Sequence, residues 1–587
     1  VRRGYKAVAN LSEGPYNDPR LYDEEVAALG SLHGLANRYF RYLAEQFPVM
    51  CASDEFYFLP RAEHACERYE RLDSLDADRV AQVLADLTRF EQALDHEVPG
   101  MGGPSTRTPE GVPRPSDLEQ HIDLVLLQSS ISALRIELQL SRSWVHNPLL
   151  YLKIALIGLD HALHKPALDH RERLKRACAR IRGMVRLFDE ARTNLRRMPE
   201  LYVHRALGMI HDCGSFLRNT GVMYPEENEL NRVLEQAARA LNRFEDFLKT
   251  PSQDSPLPVG DEEPVSNAEL LEATLHDYFR YRGTVSDVCE IGRAAFERNL
   301  GDLRTIERAL GRPWQELYSS YRPPGFDTRD TLSLYREEND RLRAHFKTRG
   351  FAGFDHDAPV RIVETPLYLR SIRSTASFSA SCCANPQEES LFYITTVTGE
   401  DSRDRAAIQR LHREYRFLTA HETFPGHHLL DLVRRGLENP VRRQVESPLF
   451  YEGWASYAES LLDEAGYLED PKEAVVLHRR NLWRAARCLV DVGMATASMD
   501  CEEAARLLEQ SGLSPEESRS QIGRFKLTPG YQLCYTIGSH EILNLRKRYG
   551  TLLSIDRFHK ALLEGGELPF HLIERRFEVL AGRSPDS

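Results

Sequence analysis

The residues best suited to chemistry lie in HETFPGHH, residues 421 to 428. His421-Glu422 has the form of the first half of H-E-x-x-H, in which two imidazoles one helical turn apart hold zinc and the glutamate acts as general base. Pro425 occupies the place of the second histidine, and the next histidines are His427 and His428. On a regular helix, at about 100° per residue, His427 falls roughly 120° round from His421, whereas His428 faces correctly but lies about 10.5 Å along the axis. Pro425 breaks that regularity, because its ring would meet the carbonyl of His421 and it has no N–H to donate. Gly426 permits backbone angles that other residues avoid. A later histidine can therefore return over the first, which makes a distorted two-histidine pair physically reasonable.

A catalytic zinc commonly takes three protein ligands and leaves a place for water, and the third ligand is often a carboxylate. The stretch YEGWASYAESLL, residues 451 to 462, sets Glu452, Ser456 and Glu459 at i, i+4 and i+7. Both carboxylates then share one face of an otherwise apolar helix, where burial is costly unless they are paired or bound to a cation. Glu452 is the candidate third ligand, and Glu459 the candidate acceptor for the outer N–H of a ligand histidine. Taken singly, each piece also has an ordinary reading: a satisfied histidine, or a pair of acids on a solvated face.

The elements that must position these groups are mostly helices. Across the first 250 residues apolar positions recur at helical period, as in LDADRVAQVLADLTRFEQAL and ELNRVLEQAARALNRFEDFL. Pro, Gly and Ser enrichment predicts loops at 96 to 117 and 250 to 267, the second dividing an N-terminal helical region, 1–255, from a C-terminal one, 268–587. The two halves are expected to form one compact unit. Short runs rich in β-branched and aromatic residues, PVRIVETPLYLR and SLFYITTVTG, predict a small sheet at about 359–397, just before the metal motif. The fold class expected is mainly α.

Composition excludes several functions. Lysine and arginine number 76 against 88 acids, a net charge of −12, and a nucleic-acid binder would lean the other way. The arginine-rich stretch RERLKRACARIRGMVRLFDEARTNLRRM interleaves acids and apolar residues and reads as a solvated helix face. No apolar run approaches the roughly 20 residues that span a bilayer. The ten cysteines are scattered, apart from Cys382-Cys383, and show no C-x-x-C pair. That pattern suggests a reducing compartment. With no apolar leader segment visible near the first residues, the expected location is cytoplasmic, with no membrane and no nucleic-acid partner. Cys382-Cys383 is expected to be packing.

HETFPGHH with YEGWASYAE resembles the H-E-x-x-P-G-H and E-G-W-A-x-Y-x-E motifs of a broad bacterial family, domain-of-unknown-function 885. TPLYLR, LFYITT, LWRAARCLVDVG, TPGYQLCYTIGSHEILNLR and FHKALLEGGELPFHLIE extend the likeness, strongly from about 360 to 580 and more loosely through the N-terminal helices. The resemblance implies a helical fold like the channel-bearing metallopeptidases related to neurolysin and the Taq-type carboxypeptidases, with a cleft between helical halves. It implies one zinc ion or another divalent metal, and hydrolysis of a peptide or related amide. It carries over His421, His427 and Glu452 as ligands and Glu422 as general base, leaving His428 outside the ligand set or structural.

Tyr535, in the segment that matches the family's Q-x-x-Y-x-x-G, is the candidate donor to the transition-state oxygen, with Gln532 one turn before it as a substrate-backbone contact. Arg546 is a candidate partner for a substrate carboxylate. One departure stands out: where many members carry histidine in D-x-G-x-H, this chain has Ala495 after Asp491 and Gly493. A pocket wall so changed suits a shifted substrate, such as a small biosynthetic amide or ester. It also suits a catalytically silent helical binding protein that keeps the metal. Oligomeric state is not legible.

Overall fold

In the computed structural model, residues 32–97, 115–250, 265–326, 328–351, 353–373, 376–381, 388–396, 412–526 and 529–581 are described. They fold as a mainly helical protein with one three-stranded sheet. The two stretches read as amphipathic helices are the helices Ala77–Glu97 and Asn228–Lys249. Leu230, Val233, Leu234, Ala237, Ala240, Leu241, Phe244 and Leu248 of the second are buried at the spacing that places one stripe against the core. The arginine-rich stretch is the helix His170–Asn194, but its face is not wholly solvated. Arg180 is completely buried and donates to the carbonyls of Gly158 and Arg71, at 2.6 and 3.0 Å. The loops expected at 96 to 117 and 250 to 267 fall largely outside the described residues, as does Cys382-Cys383. One contiguous apolar core runs from Leu32 to Phe577 and draws on helices of both halves. Among the described residues no helix is long and apolar enough to cross a membrane.

The sheet consists of β1 (Val360–Glu364), β2 (Ala376–Ser379) and β3 (Ser390–Ile394), in the order β1-β3-β2. β1 runs parallel to β3 with Ile362 opposite Phe392, and β2 runs antiparallel to β3 with Phe378 opposite Phe392. LYLR, read with the strands, is instead a 3-10 turn, Leu367–Leu369, after Pro366. Proline has no N–H to give to a ladder, and the strand ends before it. A second, small core of Leu334, Tyr335, Ile362, Ala376, Phe392, Ile394, Tyr415 and Leu418 fixes the sheet to the helix Tyr415–Glu422. The sheet is therefore the bed on which the first half of HETFPGHH lies.

A second fixed point holds YEGWASYAE. The helices Pro448–Glu464 and Cys534–Tyr549 cross at Gly453 and Gly538, where their backbones touch. A Cβ on Gly538 would fall 2.0 Å from the Leu449 carbonyl oxygen, and one on Gly453 would fall 2.5 Å from Gly538. No side chain can give way there, since the obstacle is backbone. Gly538→Ala is expected to lower the unfolding free energy by about 1–3 kcal/mol. In contrast, Gly301→Ala, with open space around it in the helix Val285–Leu310, should raise it by about 0.4–1 kcal/mol. Chemical denaturation of the pair measures the contrast, and equal midpoints would show that the crossing tolerates separation.

A cleft of about 870 Å³ opens beside this crossing, between residues 279–291 and the helices Cys534–Tyr549 and Phe570–Leu580. Leu449 lines it, but His421, His427 and Glu452 do not.

Candidate metal centre

The helix Tyr415–Glu422 stops at the glutamate of the motif, and a new helix, His427–Arg435, begins at the first later histidine. The break needs glycine for a different reason from the one its sequence suggests. Gly426 has a negative φ, −82°, and is not in the left-handed region. A Cβ there, however, would fall 1.9 Å from the His421 carbonyl oxygen and 2.4 Å from that of Ala420. The second helix thus starts in contact with the end of the first. The carbonyl of Pro425, and that of Gly426, which also accepts the Leu430 N–H at the start of the second helix, accept from the indole Nε1–H of buried Trp454, at 3.0 and 3.2 Å. Trp454 belongs to YEGWASYAE, so the two motifs are joined by the hydrogen bonds that repair the broken helix.

This geometry brings His421, His427 and Glu452 together, with one ligand atom from each within 4.8 Å of the others. Glu452 Oε2 lies 3.5 Å from His421 Nε2 and 3.6 Å from His427 Nε2. It is buried without a hydrogen-bond partner, an orphan that a buried carboxylate does not ordinarily keep. The other oxygen, Oε1, accepts from the Tyr531 hydroxyl at 2.6 Å. His421 turns its outer nitrogen, Nδ1, to Glu459 Oε1 at 2.9 Å, the carboxylate–imidazole contact that orients a ligand histidine. The imidazole of His427 stacks on Tyr451 at 3.8 Å between ring centroids. The donor set, two imidazole nitrogens and one carboxylate oxygen, fits a divalent transition metal such as zinc.

Glu422 lies beside this set. Its Oε2 accepts from the backbone N–H of Phe378 on the edge strand β2, at 2.9 Å. An edge strand leaves N–H groups without ladder partners, and this one is taken by the carboxylate that the motif places as base. His428, next in sequence to His427, turns elsewhere: its ring packs against Phe378 at 5.7 Å, outside the three-residue group.

Burial and charge act in opposite directions here. Burial drives Glu422 up to about 7, with His421 opposing and Glu452 adding to the rise. Burial works against charge on His421, yet the nearby carboxylates of Glu452 and Glu459 prevail and raise it to about 9. Glu452 is held well below the carboxylate range, burial notwithstanding, by His421 and His427. Burial takes His427 down to about 4. Two carboxylates flanking one imidazole thus draw in a positive charge, and a bound cation would meet the same demand.

Behind these three converging groups stands a layer of arginines that the motif spacing did not reveal. Glu459 accepts from Arg480 Nε at 2.7 Å and from Arg484 Nη1 at 3.0 Å. Glu414 accepts from Arg479 Nη1 and Arg480 Nη1, at 2.9 and 2.5 Å. All three arginines lie on the helix Pro471–Ala495. Asp470 caps its start and forms a reciprocal pair with Glu473, itself bonded to Tyr321 and Arg416. In LHRRNLWRAARC the visible signal was the run of arginines in a largely apolar helix, a pattern that needs carboxylate partners if buried.

Tyr535 faces the centre, with its ring 6.4 Å from that of His421. Tyr531, missed in sequence although one helical repeat before Tyr535, reaches Glu452 directly. Gln532 is held in place: its Oε1 accepts from Arg487 Nε at 3.0 Å, and its backbone N–H donates to Asp491 Oδ2 at 2.7 Å. Arg546 does not join the site. It bonds to Glu464 at 2.5 Å and to the Tyr457 hydroxyl at 3.0 Å, because its position late in the helix Cys534–Tyr549 carries it away from Tyr535. Ala495 is the buried last residue of the arginine-bearing helix.

The model of a family described as bacterial protein of unknown function (DUF885) matches residues 61–577. No curated protein matches the chain. Among solved structures, a putative lipoprotein of unknown function from Shewanella oneidensis is 18% identical with a TM-score of 0.68, covering 93% of this chain and 99% of its own. The putative lipoprotein from Colwellia psychrerythraea is 16% identical with a TM-score of 0.70, covering 92% of this chain and 99% of its own. These likenesses are of fold. The expectation of a cytoplasmic protein is corrected by them, since both neighbours are named putative lipoproteins. The chain also has Cys66 in a disulfide, whereas Cys51, Cys178, Cys213, Cys289, Cys488, Cys501 and Cys534 are free. The expectation rested on scattered cysteines and on the first residues of the sequence, and neither reports on how a folded body is anchored.

Proposed function

The chain belongs to the DUF885 family, and on the geometry of its own residues we propose that it is a zinc-dependent hydrolase of peptide or related amide bonds. The observation that carries this reading is the orphaned Glu452 Oε2 between two imidazole nitrogens, with the Glu422 carboxylate held beside them by the Phe378 N–H. A site that only stabilises the fold has no need of that second carboxylate.

His421, His427 and Glu452 would hold the ion, which when bound lowers the pKa of water and polarises a carbonyl. Glu422 accepts the proton of the attacking water and returns it to the leaving nitrogen. Fixing one of its oxygens on β2 sets the direction in which the carboxylate works. The Tyr535 hydroxyl donates to the carbonyl oxygen of the scissile bond as negative charge develops there. Glu459, anchored by Arg480 and Arg484, keeps Nδ1 of His421 engaged so that Nε2 points inward.

Elemental mass spectrometry of the purified chain is expected to find about one equivalent of a divalent metal. A peptide-library digest followed by mass spectrometry should show cleavage that a chelator abolishes and zinc restores. Failure to take up metal from zinc-containing buffer, or hydrolysis indifferent to chelation, would overturn the reading.

A further inference from the structure

Four arginines of the helix Pro471–Ala495 are buried: Arg479, Arg480, Arg484 and Arg487. The first three are matched to carboxylates, Glu414 and Glu459. Arg487 is not. Among the described residues it makes no ion pair, and its side-chain hydrogen bonds go to neutral groups, the Oε1 of Gln532 and the Tyr535 hydroxyl. Asp491, one turn further on, gives its oxygens to the backbone N–H groups of Gly530 and Gln532, at 2.9 and 2.7 Å. Burial pushes that carboxyl up to about 7, against the pull of those N–H groups and of Arg487 itself. A buried guanidinium without a carboxylate is costly.

The surroundings of Arg487 are shaped for a planar anion. Its guanidinium carbon lies 4.3 Å from the ring centroid of Tyr535, 4.6 Å from that of Trp483 and 5.7 Å from that of Phe525. Aromatic faces hold a guanidinium in one plane, and at its edge Gln532 Oε1 accepts from both Nε and Nη2, the place a carboxylate oxygen would take. Trp483 adds an unmet donor, since its indole Nε1–H is buried with no acceptor. Tyr535 connects this group to the metal centre, with Arg487 against its ring and His421 6.4 Å beyond.

We infer that Arg487 is the specificity residue of the site and receives a carboxylate of the substrate, the free C-terminus of a peptide cleaved near its end. The inference rests on the hydrolase reading of the metal centre and takes over the role that the sequence had suggested for Arg546.

The test uses affinity selection rather than turnover. The Glu422→Gln protein, in zinc-containing buffer, is mixed with N-acetylated tripeptides carrying free C-termini and with the same peptides amidated, and the retained fraction is read by mass spectrometry. Free carboxylates should be retained about tenfold or more over their amides, the worth of one charged hydrogen-bond pair. That preference should vanish on adding Arg487→Gln and persist in part with Arg487→Lys, with melting temperature and metal content of each variant as controls. Equal retention of the two forms, no retention of either, or an equal loss of both in the Arg487→Gln protein would overturn the inference. A preference that persists while the wild-type chain cleaves nothing would instead leave an anion site standing and sink the hydrolase reading.

Discussion

The Glu422→Gln protein is expected to keep its metal and its fold and to lose turnover by about 10²–10⁴-fold. Glutamine has the shape of glutamate, and its amide oxygen can still accept the Phe378 N–H that now binds Oε2 at 2.9 Å. The three atoms that converge belong to His421, His427 and Glu452, so metal content should not follow the substitution. What the amide cannot do is take a proton from water. The loss should fall on kcat, with KM little changed, because the contact is one that matters only as the bond breaks. Metal analysis and steady-state kinetics on one preparation make the measurement. Wild-type kcat in this variant would remove Glu422 from the proton path, and metal lost together with activity would make it a ligand.

The sequence showed the candidate residues more clearly than it showed what brings them together. Types and spacing brought His421, Glu422, Glu452 and Glu459 forward, since imidazoles beside acids on apolar helices have few cheap explanations. The role of Gly426 was legible only in part: its freedom of rotation was the visible property, whereas the space between it and the carbonyls of Ala420 and His421 decides the matter. Contacts of that kind join residues through the path of the chain and leave no periodic mark. Trp454 is similar, because nothing in its helix says that its indole serves a break in another helix. The arginines show the converse difficulty. Arg180 sits in a charge-rich helix that reads as solvated, yet it is wholly buried, its guanidinium satisfied by carbonyls contributed from elsewhere in the chain. Arg546 was a candidate partner for a substrate carboxylate, and the turns of helix between it and Tyr535 carry it to Glu464. The small sheet was found from its β-branched runs, but its service to Glu422 comes from an unpaired N–H on an edge, which is backbone and independent of side-chain type.

Replacing His427 by alanine is expected to abolish stable metal binding, whereas His428→Ala should retain it. His427 Nε2 stands 3.6 Å from Glu452 Oε2, and its ring lies 4.7 Å from that of His421. Its removal deletes one of three protein ligands, and the loss should exceed the about 10–100-fold that even an outer partner of a ligand contributes. His428 lies against Phe378, and burial takes its imidazole down to about 4, so it stays neutral. Trimming it should cost packing and lower the melting temperature while metal content by elemental mass spectrometry stays near that of the wild type. The pair of variants tests the broken helix as much as the ligand. In an unbroken helix His428, seven places on, would share the face of His421 and His427 would point away; the contact of Gly426 with the last turn of the first helix is what turns His427 inward instead. Metal lost from the His428→Ala protein and kept by His427→Ala would therefore mean that the helix runs on through Pro425 and Gly426, and that the meeting of His421, His427 and Glu452 is not the site.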